Sequence, residues 1–243
     1  MSSTHFASMQ TTALPPYLVH WQPSAANPDS GPSSFDSHYP VRLIDGSTLA
    51  LPLRPLPDGQ KAIALLMSNQ TPFVVEAALA PLLVGLASEF APECIVAVPT
   101  MGLDYARLVA KGLGHPDYAA LGLSRKFWYD EAMSESMSSS TSPTQKKSIY
   151  LDPGLLSRVA GKRVVLVDDV INTGASAVAA IRLLQRVGAI VDALVVVLTE
   201  GHAWREALSE IDPGLPARVR AAGHIPLFDP TPDGRWTPDQ STL

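Results

Sequence analysis

The 243-residue sequence predicts an α/β fold: a mainly parallel sheet flanked by helices, with a small hood built from the N- and C-terminal segments. From residue 94 to 208, short apolar runs alternate with segments of helical periodicity, the order that feeds strands and crossover helices into one parallel sheet. The strongest run, Val164, Val165, Leu166 and Val167, is apolar at every position, as a strand covered on both faces must be. Residues 175–187 then place Val178, Ile181, Leu184 and Val187 at spacings of three, and Gly188 stands where a helix stops.

The remaining elements follow in chain order. Residues 1–37 are rich in Ser, Pro and His and read as a flexible tail, with a partner-binding role left open. A domain is expected over 38–243, with its core at about 60–205. Residues 39–53 suggest a hairpin turning at Asp45-Gly46. Residues 61–67 suggest a strand, and 72–90 a long helix that Pro81 should kink or split. Residues 94–98 form a strand, 99–104 a turn, 105–112 a helix and 118–121 a short strand. Between 130 and 147 the chain turns to Ser, Met, Glu, Thr and Pro, a polar excursion of a length usually kept for lids or disorder. Residues 148–151 rejoin the core, 193–199 form the last strong strand and a helix begins near Ala203. The Pro- and Gly-rich segment 213–243, anchored by Ile225, Leu227, Phe228 and Trp236, is expected to wrap back as part of the hood.

Composition removes several classes of function. Hydrophobic residues make up 46% and charged residues 17%, the balance of a globular chain. A net charge of −5 offers no basic footprint for nucleic acid. The first 41 residues carry no Lys or Arg, which fits neither a secretory nor a mitochondrial leader, and no uncharged apolar stretch reaches membrane-spanning length. The single cysteine, Cys94, forbids an internal disulfide framework and suits a reducing, cytoplasmic compartment. His202 and His224 have no metal-ligand spacing around them, so no zinc site is expected.

The chemistry concentrates in residues 164–176, VVLVDDVINTGAS. A strand leads into two adjacent carboxylates, then a turn, then a helix, and open α/β folds place ligands at that edge of the sheet. Amides of Thr173 to Ser176, the hydroxyls of Thr173 and Ser176 and the following helix N-terminus suit a phosphate dianion. Gly174 permits close approach. Asp168 and Asp169 would repel that phosphate, so a neighbouring diol is their natural partner.

This segment resembles the phosphoribosyl diphosphate signature of the type I phosphoribosyltransferases: four apolar residues, two acids, two apolar residues, a variable position, then Thr-Gly-x-Ser/Thr. The resemblance implies that Asp168 and Asp169 are the catalytic acids that bind the ribose 2′ and 3′ hydroxyls, and that Asn172, Thr173, Gly174, Ala175 and Ser176 hold the 5′-phosphate. It places the turn VPTMGLDYA at the diphosphate-binding loop, with Thr100, Met101 and Gly102 in contact with that anion. Relatives often carry Lys or Arg where Met101 stands, so Arg125 and Lys126 are the expected replacement charges. Residues 130–147 correspond to the family's mobile catalytic loop. Such a loop would exclude water from an oxocarbenium-like transition state.

The resemblance further implies Mg2+ carried by the substrate rather than by a protein cage, a homodimer, and phosphoribosyl diphosphate and a nucleobase as partners. A purine is favoured as acceptor, since the loop layout is closest to the xanthine phosphoribosyltransferase and purine repressor branch. Asn172, where 6-oxopurine enzymes often have an acid, leaves the base open. Asn172, Phe228 and Trp236 are candidate base contacts. The alternative is a non-catalytic sensor of phosphoribosyl diphosphate. An acidic balance and no evident winged-helix DNA-binding domain before the core argue against a repressor specifically.

Overall fold

A computed structural model describes residues 16–24, 33–137 and 147–243. In chain order these form β1 (His20–Gln22), β2 (His38–Arg42), β3 (Thr48–Pro55), β4 (Ala62–Ala64), α1 (Phe73–Ser88), β5 (Cys94–Ala97), α2 (Gly102–Gly112), β6 (Ala119–Ala120) and β7 (Ser134–Met137). There follow β8 (Lys147–Tyr150), α3 (Leu156–Val159), β9 (Arg163–Ile171), α4 (Ala175–Arg186), β10 (Ile190–Glu200), α5 (Ala203–Ser209), β11 (Val219–Ile225), β12 (Phe228–Pro230) and β13 (Trp236–Pro238).

The central sheet has five parallel strands in the order β11-β10-β9-β5-β6. Successive residues of β5 and β9 point into different cores. Ile95, Ala97, Val165 and Val167 face α1, α2 and the hood, whereas Cys94, Val96, Val164 and Leu166 face α4. This two-sided burial is why the strands read as unbroken apolar runs. The strand order reverses between β5 and β9, so the two connections leaving their carboxyl ends part to opposite sides and open a crevice.

The hood is a six-stranded sheet, β1-β3-β4-β12-β13 with β2 paired to β3. It joins both ends of the chain, as expected. The expectation of a tail over 1–37 is corrected, because β1 pairs antiparallel with β3 and Phe35 bridges to Trp236. A three-residue strand carries no periodicity of its own; its order comes from a distant edge it completes. The rest of that span, 1–15 and 25–32, lies outside the described residues.

Pro81 sits inside α1, and of the two expected outcomes, kink or split, the split does not occur. Two further expectations change. Segment 213–243 is not wholly hood, because β11 closes the central sheet beside β10 and extends the core past residue 205. The polar excursion begins as structure: β7 and β8 form an antiparallel ladder, Met133 and Met137 pack into the α4-side core, and Arg186 binds the Ser134 carbonyl and the Glu135 carboxylate. Residues 138–146 of that excursion lie outside the described residues. No helix among the described residues is long and apolar enough to cross a membrane.

Candidate active site

β9 runs four residues beyond Val167, so Asp168 and Asp169 lie within the strand rather than just after it. Both are half-buried. The Asp169 N–H donates to Asp168 Oδ1 at 2.9 Å, which fixes the first carboxylate against the strand. Burial, and then the charge of Asp169, push the Asp168 carboxyl well above the usual carboxylate range, and burial also raises Asp169. The hydroxyls of Tyr17 and Tyr105 are near enough to feel the Asp169 charge, although burial is the main cause of their own upward shifts. Tyr17 arrives from the segment ahead of β1, a contribution to the site region that no local pattern announces.

The turn 172–174 then opens α4. Gly174 adopts φ +81° and ψ −2°, and a Cβ there would come within 3.3–3.5 Å of Ala207 and Trp204 on α5. Glycine is needed both for the left-handed backbone and for the helix that leans on it. Thr173 Oγ1 accepts from the Ala175 N–H at 3.4 Å. A cavity of about 140 Å3 is lined by Asp168, Val170 and residues 171–177, which includes Asn172, Thr173, Gly174, Ala175 and Ser176. The structure thus brings the expected phosphate and ribose residues together. The N-terminus of a twelve-residue helix opens on that cavity, and its partial positive charge makes the cavity attractive to an anion.

The connection after β5 approaches from the other side of the crevice. The Pro99–Thr100 peptide is cis, and Gly102 is the first residue of α2. A Cβ on Gly102 would stand 2.6 Å from the Val167 carbonyl oxygen and 2.9 Å from Asp168 Cα and Oδ1. The turn of Thr100, Met101 and Gly102 therefore reaches the first acid through Gly102. Ser68, buried in the connection after β4, donates to Asp104 Oδ2 at 2.9 Å and lies 3.5 Å from the Met101 sulfur, which ties the hood to this turn. No local pattern pairs Ser68 with Asp104, because their meeting spans thirty-six positions.

Other expected site residues stand differently. Arg125 is ion-paired with Glu131 at 2.8 Å, so its charge is engaged within its own loop. Lys126 is exposed. Phe228 is corrected as a stacking partner for a base: it is fully buried and packs edge-to-face on Tyr39, with ring centroids 4.9 Å apart. Trp236 is half-buried and packs toward the hood-side core. His202 and His224 stack at 5.5 Å, and their Nε2 atoms meet the carbonyl oxygens of Leu243 and Thr242, so they pin the C-terminal turn.

Comparison with known proteins agrees with this arrangement. A family model described as phosphoribosyl transferase domain matches residues 76–212, more than half of the chain. No curated protein matches. Among solved structures, the fold is similar to adenine phosphoribosyltransferase from Rhodothermus marinus, at 19% identity and a TM-score of 0.51 over 65% of this chain and 83% of that one. It is also similar to the adenine phosphoribosyltransferase of Trypanosoma brucei, solved with AMP, pyrophosphate and ribose-5-phosphate, at 17% identity, a TM-score of 0.51, and 65% and 66% coverage. Orotate phosphoribosyltransferase from Aeropyrum pernix matches at 21% identity and a TM-score of 0.50, covering 71% of this chain and 85% of that one. With the signature strand, the acid pair and the turn that opens α4 converging at the sheet's switch point, the chain belongs to the phosphoribosyl transferase domain family, whose enzymes are pentosyltransferases.

Proposed function

We propose that the protein transfers 5-phosphoribose from magnesium-bound phosphoribosyl diphosphate to a ring nitrogen of a purine base, releasing diphosphate, as a step of nucleotide salvage. The observation that carries this reading is the convergence of the cavity over residues 171–177, the Asp168–Asp169 pair and the turn ending at Gly102 within one crevice. A ribose 5-phosphate bound with its phosphate on the Thr173–Ser176 amides presents its hydroxyls to the two acids. Its anomeric carbon then faces the Thr100–Gly102 turn, where the departing diphosphate would lie.

In the transfer, the bond from the anomeric carbon to the diphosphate oxygen breaks with both electrons leaving on oxygen. A ring nitrogen of the base supplies the pair for the new C–N bond, and the proton that nitrogen carried passes to water. The carboxylates of Asp168 and Asp169 oppose the positive charge that develops on the sugar, an electrostatic contribution made mostly in the transition state. Magnesium would arrive with the substrate rather than in a protein cage, and would supply charge neutralisation for the diphosphate. Met101 gives the turn no cation of its own, so that neutralisation rests on the metal and on groups outside the turn. The reading includes a homodimer in the cytoplasm, to be checked by light scattering and by localisation of the tagged protein.

The deciding experiment measures diphosphate release from Mg-phosphoribosyl diphosphate with a panel of purine and pyrimidine bases. Base-dependent release with a purine supports the reading. Binding of phosphoribosyl diphosphate without release by any base overturns it.

A further inference from the structure

α2 opens directly after Met101, with Gly102 as its first residue and Asp104 as its third, and no side chain caps its N-terminus. A carboxylate at the third helical position can turn back and accept from the N–H groups that begin its own helix, as the acid of a capping box does. Those N–H groups are the ones a diphosphate at the 100–102 turn would use. An Asp104 carboxylate folded onto them would occupy the place of that anion and repel it.

The carboxylate is held elsewhere. Ser68, only 5% exposed, donates from Oγ to Asp104 Oδ2 at 2.9 Å. Asp104 lines a cavity of about 250 Å3 with Glu76, Arg107, Leu108 and Lys111, none of which lines the cavity over residues 171–177. Ser68 is itself fixed through its neighbours: the Met67 N–H donates to the Tyr17 hydroxyl at 2.8 Å, and the Thr71 hydroxyl donates to the Met67 carbonyl at 2.7 Å. Water could solvate the Asp104 carboxylate equally well. What a buried serine on a separate, anchored segment adds is direction.

We propose that Ser68 is a positioning residue that holds the Asp104 carboxylate off the N–H groups of the 100–102 turn and so keeps that turn open to the diphosphate. This rests on the transfer reading above, which puts the diphosphate at that turn.

The test is equilibrium binding of magnesium diphosphate and of ribose 5-phosphate to the full chain, by calorimetry. Ser68→Ala should weaken diphosphate binding about tenfold or more, the scale of lost charge-assisted hydrogen bonds, and leave ribose 5-phosphate affinity within about twofold. Asp104→Ala alone should bind diphosphate at least as tightly as the wild type. The double variant Ser68→Ala with Asp104→Ala lacks the carboxylate that the first change releases, so its diphosphate affinity should return to within about twofold of that of Asp104→Ala. A lost packing contact would not be repaired by a second truncation. Ser68→Cys, which keeps the volume and donates only weakly, serves if the alanine variant does not fold. Undiminished diphosphate binding by Ser68→Ala, or a loss that persists in the double variant, overturns the assignment. If the wild type binds neither anion, the transfer reading falls, and the Ser68 proposal with it.

Discussion

Gly102 rests so closely on Asp168 that a methyl group added to it would lie 2.9 Å from both the Cα and Oδ1 of the acid, and 2.6 Å from the carbonyl oxygen of Val167. The nearest obstacle is backbone, which cannot swing aside. Gly102→Ala should force α2 away from β9 at the point where the two site turns meet, costing about 1–3 kcal/mol of stability and most of the diphosphate release. Gly85→Ala is the control, since it lies within α1 with no atom within 4 Å of an added Cβ, and should stabilise by about 0.5–1 kcal/mol. Chemical denaturation and turnover of both variants check the contrast. Equal effects would mean the closeness is unimportant.

Asp168 and Asp169 are expected to trade stability for activity. Both have pKa values raised on folding, so ionising them costs the folded protein more than the unfolded chain. That cost is absent below the ordinary carboxylate range and builds as pH rises through the raised values. Asp168→Asn and Asp169→Asn should therefore melt higher than wild type at neutral pH without ligand, with the gain fading toward pH 4. Turnover should fall by about 10²-fold or more. Thermal melts at several pH values and initial rates test both signs. Lower melting temperatures for the Asn variants at pH 7 would contradict the stated electrostatics.

The same pair governs how ligand affinity responds to pH. Ribose hydroxyls donate to ionised carboxylates, so binding favours the charged pair and releases protons when it starts from a partly protonated one. Affinity for ribose 5-phosphate should weaken as pH falls through the raised values and level off above them. Calorimetry in buffers of different ionisation enthalpy would detect the protons released. Uptake of protons on binding would reverse the assignment.

Phe228 should matter to folding and not to the acceptor base. It is fully buried against Tyr39, so Phe228→Ala should cost about 3–5 kcal/mol, whereas Phe228→Leu retains most of the volume and should cost about 1.5 kcal/mol or less. The leucine variant should keep the wild-type KM for the base. A large rise in KM with unchanged stability would return Phe228 to the site.

Local chemistry was readable in advance wherever a short segment sets its own conformation. Apolar runs announced β5, β9 and β10, spacings of three announced α4, and the DDVINTGAS segment announced a strand-to-helix turn, because period and turn chemistry are properties of neighbouring residues. The family resemblance added roles for Asp168, Asp169 and the turn residues, and the family match supports its general direction. What depends on meetings across the chain was not readable. The pairing of β1 with β3, the antiparallel ladder of β7 and β8, and the burial of Phe228 on Tyr39 all follow from register and strand order. Residues 16–22 look like any polar tail until the edge of β3 offers them hydrogen bonds, and residues 130–137 look like a free lid until Met133, Met137 and Arg186 find the α4 side of the sheet. A three-residue strand or an isolated aromatic has too little local free energy to choose its own state, so the partner it meets chooses for it.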